Sequence, residues 1–350
     1  MIDRSLRNRY SRQTIFPHIG EAGQRRLLRS CAVIIGCGAL GCNIANLLVR
    51  AGVGKIRIID RDFIEYHNLQ RQVLFYESDI KAGLPKAVAA KRHLRRANST
   101  VKIEGIVADV NSSNIEKLCH DAEVILDGLD NFETRLLIND FALKYKIPWI
   151  YGGAIAANGM TMNVIPGKTA CFRCVHTLVP SAERTLTCET VGIVNSVPAI
   201  IGALQATEAL KILVGDPEIN RGIVLIDVWR DIFEHIEVNR LQGCPACNGK
   251  YEFLDNKFDL KTASLCGQSR AVQVVNTAVK RVSLTKLAAQ LQKADNIFLN
   301  KYLLRFDADE YQFTVFPDGR VIIRNTIDET QARKLYDKYI GHSLAKIKKG

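Results

Sequence analysis

The sequence contains no apolar run long enough to cross a bilayer. The longest, around Ile200, is short and broken by polar residues, so a membrane-spanning chain is not expected. It also lacks an apolar leader: MIDRSLRNRYSRQ is charged from the first turn and no small-residue cleavage site follows. No secretory signal is read, and the expected location is the cytoplasm. Neither an internal repeat nor a low-complexity tract is visible, and 47% hydrophobic with 24% charged residues lies outside the disordered and collagen-like classes. Acid is missing altogether from residues 81–102, which hold seven basic side chains within a chain of net charge +12. That balance suits acidic partners, although a solvated helix face accounts for a basic run more often than not. Without a secretory signal, the ten cysteines do not read as a disulfide framework. They read as metal ligands, reactive thiols or small buried residues.

A length of 350 residues suggests about two domains. Residues 4–29 read as a lead-in and a helix. CAVIIG (31–36) is a β-branched strand ending in glycine, ALGCNIANLLVRAG a helix closed by Gly52, and KIRIID (55–60) a second strand. Strand, glycine turn, helix, strand is a βαβ unit with helices on both faces of a parallel sheet. Further alternation follows: a helix from Pro85 and Lys86 to Arg96, strands VKIEGIVADV and AEVILDGLD, a helix over about 133–145, and strand IPWIYGGA. From Thr161 to about Glu252, strands and cysteine pairs surround the helix AIIGALQATEALKILVG. Near residue 255 the composition shifts. YLLRFDADEYQFTVFPDGRVIIRN reads as three strands with a tight turn at Asp318-Gly319, and DETQARKLYDKYIG as a helix with Gly341 at C′. The division expected is 1–254 for a larger α/β domain and 255–350 for a small α+β appendage.

GCGALG, from Gly36 to Gly41, falls between a strand and a helix, where backbone N–H groups and the helix N-terminus attract phosphate. Asp60 closes the next strand and is placed for ribose hydroxyls. Alone, these residues would suggest a nicotinamide-dependent dehydrogenase. DRDFIEYHNLQRQ then adds Asn68 and Arg71, GLPKA adds Lys86, and Asp130 and Asn131 follow a third parallel strand. Hydride transfer has no need of cations and a carboxylate converging on phosphate, whereas nucleotidyl transfer does.

RYSRQ (9–13), GCGALG, IIDRD (58–62), NLQRQ (68–72), LPKA (84–87) and DGLDNFETR (127–135) together resemble the ThiF, MoeB and HesA family of bacterial ubiquitin-activating-enzyme-like adenylyltransferases. The resemblance covers about residues 8–254. The tail, TASLCG with YLLRF, FPDGR and YIG, is similar to an extension on some ThiF-type enzymes. The resemblance implies a Rossmann-like adenylation fold with a mostly parallel sheet, and ATP-dependent adenylation of the C-terminal glycine carboxylate of a sulfur-carrier protein ending in Gly-Gly. It implies that Gly36, Gly38, Ala39, Gly41 and Asn131 line the nucleotide, Asp60 binds ribose, Asn68, Arg71 and Lys86 bind the phosphates, and Asp130 holds Mg²⁺. Arg12 would enter the active site of the neighbouring subunit of a homodimer. A cysteine desulfurase is an expected sulfur donor; neither a membrane nor nucleic acid is an expected partner.

CFRC (Cys171, Cys174) and CPAC (Cys244, Cys247) are two thiol pairs matched to a closed, structural Cys₄ zinc site, with His176 nearby but superfluous. Cys188, in RTLTCET, resembles the family cysteine that bonds covalently to the carrier or its sulfur; the alternative is a small structural residue. Cys31, Cys37 and Cys42 are expected to be packed, Cys119 lies in no motif, and Cys266 is read as packed or as a second sulfur-handling thiol. No complete rhodanese loop is present. The leading function is ThiF-like, in thiamine thiazole synthesis. The alternatives are a MoeB-like enzyme of molybdopterin synthesis acting on a MoaD-like carrier, a tRNA-carboxylate-adenylating relative, and a non-catalytic scaffold.

Overall fold

The computed structural model describes residues 8–176, 188–255, 271–275, 282–291 and 294–341, without the side chains of 188, 189 and 275. The chain divides into two compact units, Met1–Phe258 and Asp259–Gly350.

The first unit is built on an eight-stranded sheet. Its strands are β1 (Cys31–Ile35), β2 (Lys55–Ile59), β3 (Lys102–Ile106), β4 (Val124–Asp127), β5 (Trp149–Ile155), β6 (Asn158–Val164), β7 (Ile223–Asp227) and β8 (Ile232–Ile236), in the order β3-β2-β1-β4-β5-β6-β7-β8. Pairing is parallel from β3 through β5 and antiparallel from β5 through β8. Sequence order reverses between β1 and β4, and ligands bind at such a switch point in open α/β sheets.

The helices are α1 (Ser11–Thr14), α2 (Gly20–Leu27), α3 (Ala39–Ala51), α4 (Glu77–Lys81), α5 (Lys86–Ala97), α6 (Ile115–Cys119), α7 (Phe132–Tyr145), α8 (Phe172–Val175), α9 (Cys188–Val191) and α10 (Ser196–Val214). Every residue of β1 is buried because both faces are covered. Ala32 and Ile34 pack with residues of α3, α5 and α10, while Val33 and Ile35 pack with Phe141 and Leu136 of α7 and with Trp149. That is why β1 is uniformly apolar rather than alternating.

α2 is the helix expected before β1, and among the described residues the lead-in ahead of it also holds the short helix α1. α10 is 19 residues long with a mean hydropathy of 1.5, enough by length and composition to cross a membrane. The short, interrupted run expected around Ile200 therefore understates it. Its apolar surface packs on α3, β5 and β6, and Gly215, with φ 76°, stops it.

The second unit holds β9 (Ala271–Val275), α11 (Leu284–Ala288), β10 (Asp295–Leu299), β11 (Leu304–Ala308), β12 (Tyr311–Val315), β13 (Arg320–Arg324) and α12 (Glu329–Tyr336). Its antiparallel sheet runs β10-β11-β12-β13-β9, two strands more than expected. Phe306, Phe313, Val321 and Ile323 meet Leu335 and Tyr336 of α12. Gly319 supplies the positive φ of 87° in the β12–β13 turn. Gly341 is not a C′ glycine: the chain passes from α12 into a π-helical turn over Asp337–Gly341.

Candidate nucleotide site and cysteine centre

The glycine loop lies at the switch point because its backbone has to. Gly36 has φ +91°, and a Cβ on it or on Gly41 would enter neighbouring backbone, that of Gly128 and of Gly36 respectively. Gly38 is the N-cap of α3, with no side-chain cap and no acid in the first turn, and Ala39 begins the helix. The first N–H groups of α3 are therefore available to an anion, beside the positive end of the helix dipole.

Asp60 is 8% exposed and lies under this loop. Its Oδ2 accepts the Cys37 N–H at 2.6 Å and its Oδ1 the Asp62 N–H at 2.6 Å. A carboxylate has about four lone-pair positions, so acceptors remain for a diol. Burial pushes the Asp60 carboxyl up to about 6, against the pull of Lys86. Lys86, the first residue of α5, is itself buried, with Nζ 3.2 Å from Asp62 Oδ2. Burial alone would lower its pKa, but Asp62, Asp60 and Asp130 more than offset this and hold the ammonium above its ordinary value.

Asp130 follows β4, is exposed, and acts electrostatically on Lys86, Arg61 and Arg135. Asn131 is the N-cap of α7, its side chain accepting the Thr134 N–H at 3.0 Å, so its oxygen already has a structural use. Asn68 is buried and its Oδ1 accepts the Glu65 N–H at 3.0 Å. Arg71 is half-buried and donates to the His67 carbonyl at 2.9 Å. Arg12 is exposed on α1 and is not brought to the glycine loop of its own chain. Tyr10, at the start of this segment, bonds Asn98 at 2.9 Å and lies against Gly52. Gly52 closes α3, about 20 Å of helix away from Gly38.

Four residues to which the sequence assigns no role also contribute. Asp62 pairs with Lys86; an acid two residues beyond Asp60, on the same face of an extended segment, was the available signal. Gln72 is 4% exposed, its Oε1 has no hydrogen-bond partner, and its Nε2 reaches toward Gly38. Asp127 and Arg135 form a buried ion pair at 2.8 Å. Arg135 also donates to the Leu129 carbonyl at 2.6 Å and the Gly152 carbonyl at 2.9 Å. This pair braces the loop that carries Asp130. Together these groups bring a helix N-terminus, a buried ammonium and several carboxylates to the switch point of the sheet, a set able to hold a polyphosphate and a diol.

The Sγ atoms of Cys171, Cys174, Cys244 and Cys247 all lie within 4.8 Å of one another. Three of the separations are 3.6, 3.7 and 3.6 Å. Tetrahedral thiolates at 2.3 Å from a zinc ion would be about 3.8 Å apart, so these four sulfurs suit a bound cation. His176 is outside the cluster, its ring 4.4 Å from that of Phe172 and edge-on to Phe132. Cys31, Cys37 and Cys42 are buried, as expected of packed residues, and Cys119, for which no role was expected, is buried as well. Cys188 opens α9, and Cys266 lies outside the described residues.

The ThiF family profile matches residues 10–246. Over 340 residues the chain is 41% identical to the sulfur carrier protein ThiS adenylyltransferase of Bacillus subtilis (strain 168), spanning 96% of this chain and 100% of that protein. It is 34% identical over 246 residues to the sulfur carrier protein adenylyltransferase of Thermus thermophilus, spanning 69% of this chain and 90% of that protein. Among solved structures, E. coli MccB with ATP is similar at TM-score 0.61 and 25% identity, over 69% of this chain and 75% of that one.

Proposed function

Because the chain belongs to the ThiF family, we propose that it uses ATP to adenylate the C-terminal glycine carboxylate of a ThiS-like sulfur carrier for thiamine thiazole synthesis. The observation that carries the choice of carrier is coverage. The similarity to the ThiS adenylyltransferase spans 96% of this chain, whereas that to the Thermus enzyme spans 69%.

In this reading a carboxylate oxygen of the carrier attacks the α-phosphorus, the bond to the bridging oxygen breaks, and pyrophosphate leaves. A carboxylate is already a nucleophile, so the protein supplies position and charge rather than a general base. Gly38 and the N-terminus of α3 receive phosphate oxygens, Asp60 accepts the ribose hydroxyls, and Lys86 with Arg71 and Asn68 neutralises and orients the leaving pyrophosphate. Asp130 is the residue to hold Mg²⁺, which when bound offsets phosphate charge. Arg12 completes the site of a second copy in a homodimer. The four cysteines hold a structural Zn²⁺: with four sulfurs no coordination position is left for chemistry.

The test is ATP–pyrophosphate exchange against purified carriers ending in Gly-Gly, with tRNA as a parallel substrate. Exchange should require a thiazole-type carrier and should fall about 10²- to 10³-fold in Asp130→Ala and in Arg71→Ala, the scale for losing one charge-stabilising group. Exchange with only a molybdopterin-type carrier would move the enzyme to that pathway. Exchange with only tRNA, or near-wild-type rates in both variants, would overturn the reading.

A further inference from the structure

Apart from Lys86, the nucleotide site makes no use of the acid-free basic run at residues 81–102. α5 carries Arg92 and Arg96 one turn apart, and Arg50 occupies the last turn of α3. These three guanidinium groups line one cavity of about 530 Å³, together with Tyr76, Asp79 and His93.

Among the described residues none of the three arginines pairs with a carboxylate; Arg50 Nε donates instead to Asn46 Oδ1 at 2.8 Å. The one acid lining the cavity is already committed. Asp79, 1% exposed, accepts the Tyr76 N–H at 3.0 Å and faces His93 Nε2 at 2.8 Å. The His93 ring is fixed further by Tyr76, edge-on at 5.0 Å. A helix dipole favours arginine in a last turn, which accounts for Arg50 and Arg96 individually. It does not account for Arg92, whose like charge four residues before Arg96 is destabilising on a helix, nor for the convergence of all three on one cavity.

We propose that this cavity is a second anion site, whose ligand presents a phosphate group, either the free ion or a small phosphomonoester. Planar guanidinium groups match phosphate oxygens in pairs, and the volume is that of a small-molecule pocket. The site is distinct from the nucleotide cleft. α3 begins at the glycine loop and α5 at Lys86, and the cavity sits at the opposite ends of both helices.

The experiment is calorimetric titration of the full chain with inorganic phosphate and, separately, glycerol 2-phosphate, with the nucleotide cleft saturated by a non-hydrolysable ATP analogue. Wild type should take up a further equivalent of at least one probe, the tighter probe telling free ion from ester. Arg92→Gln/Arg96→Gln should weaken that uptake at least about tenfold, the scale of losing a charge-assisted hydrogen bond, with exchange activity within a few-fold of wild type. Should the double variant fail to fold, Arg50→Gln carries the same expectation. Absence of uptake by wild type at millimolar probe, or equal uptake by wild type and variant, would overturn the proposal. So would uptake of a polyglutamate peptide in place of both phosphates, which would make the cavity a dock for an acidic protein.

Discussion

Replacing Arg135 by methionine should damage the first unit out of proportion to the size of the change. The guanidinium neutralises Asp127, which is fully buried, and donates to two carbonyls, those of Leu129 and Gly152. Methionine fills much of the same volume but leaves the Asp127 carboxylate buried and unpaired. Removing one partner of a buried pair typically costs about 3–5 kcal/mol, a large share of the roughly 5–15 kcal/mol that holds a native protein together. At about 2–4 °C per kcal/mol for a unit of this size, the melting midpoint should fall by about 6–20 °C. Urea unfolding followed by circular dichroism supplies the free energy. The diagnostic is the double variant Asp127→Leu/Arg135→Met, in which neither charge remains. It should be more stable than Arg135→Met alone, because the penalty comes from the orphaned charge rather than from the lost pair. A loss below about 1 kcal/mol in Arg135→Met, or a double variant as unstable as the two single losses added, would refute the reasoning.

Nucleotide affinity should fall as pH drops through about 6, because the ribose acceptor has to be the Asp60 carboxylate, which burial holds near that value; a flat pH profile of ATP-analogue binding would contradict this. For stability the sign reverses: a carboxyl raised from its ordinary 3.8 favours the folded state most when protonated, so its contribution grows as pH falls from about 6 toward 4. Protein purified without added zinc should hold one tightly bound Zn²⁺ per chain, and Cys244→Ser should lower the melting midpoint more than it weakens ATP binding, as metal analysis and thermal melts would show. Cys188→Ala should retain pyrophosphate exchange with the carrier yet form no thiol-releasable carrier adduct on gels, since adenylation needs no enzyme thiol and the adduct does.

The parts of the fold that could be read in advance are those specified by neighbours in sequence. CAVIIG followed by GCGALG defines β1, the loop and α3, because the chain has to turn sharply between an apolar strand and a helix, and glycine at 36 and 41 allows the close approach. Asp60 and Lys86 could be located for the same reason: each ends or begins a regular element beside the switch point. Residues whose role depends on a distant partner were not legible. Asp127 and Arg135 are the two ends of DGLDNFETR, but only the fold of the loop between them shows that one neutralises the other, and Gln72 acquires its position only when the turn after Asn68 folds toward Gly38. Asn131 shows the converse. Its place in the motif implies a nucleotide contact, while its local chemistry, an Asn three residues before a free N–H, is that of a helix cap. β9 (AVQVV) and β10 (DNIFL) are no shorter than β11, β12 and β13, but neither is flanked by a hairpin signal such as Asp318-Gly319, and each joins its sheet through strand pairing that sequence order does not reveal.

The electrostatic balance of the candidate site bears on how it would take a nucleotide. Lys86 is surrounded by Asp60, Asp62 and Asp130, and Arg61, the next cation, is paired with Asp109 at 2.9 Å. With the Asp127–Arg135 pair, on whose arginine Asp130 also acts, five carboxylates face three cations, and the helix N-terminus adds only about half a positive charge. A triphosphate entering this cleft with no further cation would meet net repulsion. That repulsion discriminates against polyanions that bring no counter-charge, and it is relieved only by groups that arrive with or after the nucleotide. Under the proposed mechanism the sources would be a divalent ion on Asp130, Arg71 released from the His67 carbonyl, and Arg12 from a second copy. On that reading the site becomes competent by assembly, with the buried Lys86 as the fixed charge around which the others are placed.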